Sequence, residues 1–375
     1  MGAASTGRPG RLAYDPAGRV LTRTVDGVRY ATYVYDLAGR RTSTTSRDGI
    51  PWYTQYDNAG QVTKLDAPGT ARDVTFGYDQ RGRQTSITYP GTGGGTVTRA
   101  FDDEGRMTGL TDWAARSHSW TYDPDGNPRT HTRPGGTVVT TNTYDNAARP
   151  TSLVTKAGAT ALASFGYGYD NRDALNTITP TGTAVTGDTT RSLTFDAAVR
   201  VTADGTKTYG WDTASNLKTV PGQTGRTFSN GGRLTAATVG TTAYSYGYSP
   251  TGARTGRTGG GQTLGYAYDA EDRLATYTPA TGAATVYTYD ADGVRQSKQT
   301  GTGPVETFLW DPSGGLPLLL QDGTNRYLYG PDGGLVQQTA TTGGTTVYPV
   351  TDLTGSIRAL VDGAGAVKLS RTWDA

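Results

Sequence analysis

YDPAGR at 14–19, YDLAGR at 35–40, YDNAGQ at 56–61, YDQRGR at 78–83, FDDEGR at 101–106 and YDPDGN at 122–127 are one phrase written six times, at steps of 21 to 23 residues. A unit this short cannot bury a core alone, so the repeat predicts units that stack on their neighbours. The phrase then decays but keeps its place. Tyr144, Tyr169, Phe195, Trp211, Phe228, Tyr248, Tyr268, Tyr289, Trp310, Tyr329 and Tyr348 read as later aromatic anchors, about seventeen units in all. The uneven steps on either side of Phe195 together make two ordinary units, which reads as a displaced anchor or a bulge.

Between phrases the residues alternate. In 19–36, RVLTRTVDGVRYATYVYD, two alternating runs flank Asp26-Gly27, the signature of a hairpin closed by a tight turn. The phrase supplies the second turn of each unit. In Asp15-Pro16-Ala17-Gly18 the aspartate carboxylate can accept backbone N–H bonds, proline presets φ, and glycine closes the turn in a left-handed conformation. The same logic covers Asp123-Pro124-Asp125-Gly126, Asp311-Pro312-Ser313-Gly314 and Gly330-Pro331-Asp332-Gly333. A looser turn is expected where the glycine is lost, as in Asp145-Asn146-Ala147-Ala148. The other rim carries Asp48-Gly49, Pro68-Gly69, Pro134-Gly135-Gly136, Asp204-Gly205, Asp322-Gly323 and Asp362-Gly363.

The repeat motif therefore has assigned parts. Tyr14, Tyr35, Tyr56, Tyr78, Tyr122 and Tyr289 are anchors; Asp15, Asp36, Asp57, Asp79, Asp123 and Asp290 cap turns; Gly18, Gly39, Gly60, Gly82, Gly126 and Gly293 bend them. Arg19, Arg40 and Arg83, with Arg106, form a second ladder that bonds the preceding aspartate or carbonyls of the neighbouring unit. The expected fold is all-β, a long antiparallel sheet of hairpins with almost no helix, in keeping with 54 Gly, 24 Tyr and 2 Met. About 34 strands at about 4.8 Å span roughly 160 Å, too long to stay flat, so the sheet is expected to curl into a spiral or open shell. Residues 1–375 read as one continuous repeat region, 1–10 as a disordered or cut end, and 329–375 as its last repeats.

A net charge of +2 makes no electrostatic case for nucleic acid or an anionic membrane. Without cysteine there is neither disulfide nor thiolate site. The turn position accounts for nearly all aspartates, so no catalytic, cofactor or metal residues are assigned. His118 and His131, the only histidines, are expected to be exposed strand residues, too few for a metal site. Gly91–Gly95 and Gly259–Gly261 lack the Gly-Lys-Ser/Thr of a phosphate loop. MGAASTGRPG has no apolar signal core, and Leu316–Leu320 is too short to cross a bilayer. Met1-Gly2 with Thr6 fits a loose myristoylation pattern but reads as the cut end of a longer protein.

The repeated YDxxGR phrase on a Gly/Tyr/Thr-rich chain resembles the RHS/YD-repeat family over essentially its whole length, with YGPDGGLVQQT at 329–339 and TDLTGSIRALVDGAGAV at 351–367 resembling the last repeats before that family's C-terminal core. The resemblance implies a hollow, non-enzymatic β-shell that encloses or presents its own downstream C-terminal domain, in a secreted or cell-surface protein. In many members that downstream segment holds an aspartate-dependent self-cleavage site. Asp311-Pro312-Ser313-Gly314-Gly315-Leu316 only superficially resembles that site and reads as an ordinary repeat turn. The chain departs from the family at Thr354, which precedes Gly355-Ser356 without the usual histidine nearby. Two rival readings use the same features: a polysaccharide-binding module on the Tyr/Trp ladder, and self-association through open sheet edges.

Overall fold

A computed structural model describes residues 10–69 and 72–372. The expected cut end up to residue 9, the Met1-Gly2 pattern and Trp373-Asp374-Ala375 lie outside the described residues. Among the described residues 37 strands run from Arg11–Tyr14 to Val367–Ser370, with no helix, as the composition demands. Val20–Val25 and Val28–Tyr35 form the expected hairpin, Thr22 opposite Thr32. Asp26 and Gly27 both take positive φ, 48° and 77°, which lets a two-residue turn follow the twist of its strands.

Successive strands pair antiparallel. A 19-stranded sheet ends at Lys207–Thr208; a two-stranded sheet follows, then nine strands from Gln223–Phe228 to Glu306–Thr307, then seven from Leu309–Asp311 to Val367–Ser370. The phrase marks where alternate strands end. Tyr14 pairs with Val20, Tyr35 with Arg41, Tyr56 with Val62, Tyr122 with Pro128 and Tyr289 with Arg295, and the register slips at each anchor. In between, Asp36 N–H donates to the Arg40 carbonyl at 2.9 Å and Gly39 N–H to the Asp36 carbonyl at 3.0 Å. Gly39 has φ 83°. This is a type I turn completed by a left-handed residue and a bulge.

Several sequence expectations are corrected. The turn at Asp145 is not looser: Ala148 N–H meets the Asp145 carbonyl and Asp145 N–H the Arg149 carbonyl, both at 3.0 Å. Ala148 takes φ 60°, and even the β-branched Val199 does so in the Asp196 turn. The aspartate cap and two backbone bonds select the conformation, and side-chain sterics yield. Asp311 does not start an ordinary turn. It ends a strand, pairs with Leu318, and a wide loop separates the arms. The five-residue turn also occurs on the opposite rim, at Asp112–Arg116 and Asp362–Ala366, where Gly365 rather than Gly363 is the left-handed residue. Tyr348 is no anchor, because the turn there begins at Asp352; Thr351 holds the anchor register, opposite Ile357, and Tyr348 is buried. The long step before Phe195 holds an extra loop, 182–190, that buries Ala184 and Val185 in the core.

Contacts divide the chain into two compact units, one of residues up to Thr75 with Gly210–Gly323, the other of Phe76–Tyr209 with Thr324–Ala375. Each joins an early stretch to a late one. In the first, Arg23 pairs with Glu271 at 2.9 Å and donates to the Ala291 carbonyl at 2.6 Å, while Arg41 grips Asp292 through both terminal nitrogens. In the second, the Tyr89 hydroxyl donates to the Tyr327 carbonyl at 2.7 Å and Arg133 to the Pro349 carbonyl at 2.5 Å. Phe165, Leu162, Val138, Val350 and Val361 form its core.

Candidate functional site

The residues singled out by the phrase come together as an inter-unit clip. Asp36 Oδ1 accepts the Arg40 N–H at 2.8 Å, and its Oδ2 accepts Arg40 Nε at 2.7 Å. From there the guanidinium reaches forward. Arg40 Nη1 donates to the Asp57 carbonyl of the next unit at 2.7 Å, and its carbon lies 5.0 Å from the centre of the Tyr56 ring. Arg19 does the same to Asp36 and Tyr35, Arg83 to Asp102 and Phe101, and Arg273 to Asp290 and Tyr289. Such a cation held over a ring face is worth about 0.5–1 kcal/mol at exposed sites.

The anchors reach back. The Tyr35 hydroxyl donates to the Val20 carbonyl, Tyr56 to Arg41, Tyr122 to Met107 and Tyr289 to Leu274, all at 2.7–2.8 Å. Trp310 keeps this role through Nε1, 2.7 Å from the Arg295 carbonyl. Where an amide replaces arginine the local bond survives: Gln61 Nε2 reaches Asp57 at 2.9 Å and Asn127 Nδ2 reaches Asp123 at 3.0 Å. Neither amide carries the charge that arginine holds over the next unit's ring.

The bonds set the charges. The Arg40 side chain holds the Asp36 carboxyl below its usual range, Arg149 does so for Asp145, and the Arg83 backbone N–H does so for Asp79. Asp290 is different: Val294 stands at the arginine position and offers only its N–H, at 2.8 Å, so burial pushes this carboxyl up to about 6. Tyr14 lies half exposed at the first strand. Asp79 and Gly82 form the turn after Tyr78 as expected.

The histidines overturn the expectation of exposure. His118 is buried, and its Nδ1 lies 2.9 Å from His131 Nε2, its Nε2 3.0 Å from Gln337 Oε1. Gln337 Nε2 in turn donates to Asp112 Oδ2 at 2.7 Å, and Arg116 Nε to the same oxygen at 2.7 Å. Trp120 stacks on His131 at 4.7 Å between ring centres. Burial pushes His118 down to about 4 and His131 well below the usual histidine range. One local signal pointed this way: His118, Trp120 and the anchor Tyr122 alternate onto one face. The partners from 337 onward left none. A cleft of about 420 Å³ in the same unit is walled by Phe165 and Tyr167, and the charges of Arg191, Asp204, Asp352 and Arg358 there are paired among themselves and with Asp188.

Residues 5–167 match the family model Teneurin YD-shell. Over this stretch, less than half of the chain, the sequence is similar to that family. Past residue 167 the same register slip recurs at Tyr169, Tyr248, Tyr268 and Tyr289, each with its hydroxyl donating to a carbonyl of the preceding unit. Solved structures similar to the chain include TcdB2-TccC3-TEV, at 15% identity over 95% of this chain and 25% of that one, with TM-score 0.44. TcdB2-TccC3 without its hypervariable C-terminal region gives 15%, 94%, 24% and 0.45, and the Photorhabdus luminescens Tc holotoxin pore with TccC3-D651A gives 16%, 95%, 25% and 0.42. The chain spans about a quarter of those chains. No curated protein matches it.

Proposed function

We propose that the whole chain is a non-enzymatic wall segment of a YD-shell protein, continuous over its repeats, whose role in the parent molecule is to enclose or present a C-terminal domain encoded downstream. The observation that carries this is the clip: anchor rings, turn aspartates and arginines are committed to holding neighbouring units together, and the guanidinium caps occupy ring faces that a sugar would need. The chain also returns on itself within each unit, Arg23 meeting Glu271 and Tyr89 meeting Tyr327. That is what a curled wall requires. A secreted or surface-associated parent fits this role.

Electron microscopy of the protein extended through its downstream reading frame tests the proposal. A hollow particle with density inside is expected; a solid rod without a lumen would sink it. A glycan array read by tryptophan fluorescence checks the rival, and saturable micromolar binding would promote the polysaccharide module over the wall.

A further inference from the structure

From the hydrogen-bond geometry we infer that the His118–His131 pair is an acid-sensitive latch, which fastens the late stretch 335–350 to the early strands 107–132 when both rings are neutral and releases it when the pair takes up protons. The direction of the chain can be worked out atom by atom. Gln337 gives its amide N–H to Asp112 Oδ2 and Thr339 Oγ1, so its Oε1 is the acceptor facing His118. His118 Nε2 therefore carries the hydrogen. Its Nδ1 is then a lone pair and must receive the hydrogen of His131 Nε2. Four groups point one way, from His131 through His118 and Gln337 to the Asp112 carboxylate.

A proton added to His118 puts N–H against N–H unless His131 changes tautomer. Two added protons leave no arrangement that keeps the 2.9 Å contact. The surroundings give the cations little help. From the early strands Arg133 faces the pair, its Nη1 bonded to Thr140 Oγ1 at 2.9 Å and its Nη2 to the Pro349 carbonyl. Arg116 approaches from the turn before Ser117–Tyr122 and bonds Thr346. Among the described residues Asp112 is the carboxylate that favours charge on His118, and it is already shared between Arg116 and Gln337. Tyr348 closes the late side, edge-on to His118 at 5.6 Å. Burial first, and then Arg133 and Arg116, oppose protonation of His118; burial and then Arg133 oppose that of His131.

The sign follows from linkage. A histidine that is neutral in the closed form and free at 6.5 in the opened form favours opening as pH falls below 6.5, and the effect saturates near 4. His118 alone makes the opened form about thirty-fold more populated at pH 5 than at pH 7.5.

Hydrogen exchange on the 375-residue protein at pH 7.5 and 5.0, corrected for intrinsic rates, reads the latch. Protection in 117–132 and 335–350 should fall about thirty-fold or more while the hairpin of Thr242–Tyr248 and Arg254–Gly259 keeps its own. His131→Leu keeps an apolar surface against Trp120 and should remove only the part of the fall beyond the roughly thirty-fold that His118 carries alone. Should that variant fail to fold, ring-nitrogen NMR of the unaltered protein decides alone. Neutral rings with His118 protonated at Nε2 down to pH 5 support the latch. Titration of both rings near 6.5, or unchanged exchange in 335–350, overturns it.

Discussion

Val199→Gly should stabilise the protein, although it removes a side chain and adds chain freedom. Val199 sits at φ 60° in the Asp196 turn, with its N–H bonded to the Asp196 carbonyl at 3.1 Å and Asp196 N–H to the Arg200 carbonyl at 3.0 Å. A left-handed conformation costs an L-residue about 1–2 kcal/mol, and a β-branched side chain belongs at the upper end, about 2 kcal/mol. Glycine removes that strain. Against this stand about 0.7 kcal/mol of unfolded-state entropy and about 0.5 kcal/mol for the partial burial of a valine that is 55% exposed. The net gain is about 1 kcal/mol, or roughly 2–4 °C in the melting of a unit this size. Gly60→Val is the reciprocal: φ is 85°, a new Cβ would meet nothing within 4 Å, and the loss should be about 1–2 kcal/mol from backbone strain. Urea unfolding followed by circular dichroism measures both. A neutral or destabilising Val199→Gly together with a harmless Gly60→Val would refute the view that the turn imposes its conformation on whatever residue stands there.

Tyr169→Phe removes the hydroxyl bond to the Pro150 carbonyl, 2.8 Å long, and should cost about 1 kcal/mol in the same unfolding assay. Arg40→Gln keeps an amide partner for Asp36, as Gln61 does for Asp57, but gives up the Tyr56 cap and the Asp57 carbonyl; a loss of about 1–2 kcal/mol is expected, with Arg40→Lys in between because a point charge cannot serve both partners. Asp290→Asn tests the carboxyl that burial raises. Its native form favours the proton, so it contributes stability below 3.8 that is lost as pH rises to about 6; the variant should be less pH-dependent in that window and more stable at pH 7.5, and equal slopes for both proteins would contradict the assignment.

Much of the architecture was legible because the turn chemistry is local. Asp36, Gly39 and Arg40 lie within five residues, and carboxylate, left-handed glycine and guanidinium geometry suffice to predict both the cap and the bond to the neighbouring unit. Asp26-Gly27 is equally self-contained. The reading failed where one signal was trusted over the whole pattern: Ala148 and Val199 show that aspartate and the two backbone bonds hold the turn without glycine, and Asp311 shows that aspartate and proline without the right spacing do not make it. Tyr348 is an aromatic at a plausible step, yet its burial is decided by the packing around His118. The histidine chain was out of reach for a physical reason. His118 and Gln337 are 219 residues apart, and nothing in the local alternation of either strand announces the other.

The clip has a direction. Arginine reaches forward to the unit that follows, and the tyrosine of that unit reaches back, so no unit's contacts are complete until the next has been made. On a ribosome adding about 5–20 residues per second, each new phrase finishes its predecessor within a few seconds, through contacts of short sequence separation that form fast. The growing wall therefore exposes one unfinished hairpin at a time. The distant pairings, Arg358 with Asp188 and Gln337 with His118, can form only after the last third of the chain has emerged. Synthesis and closure are thus separate events: the wall is laid course by course, and fastened at the end.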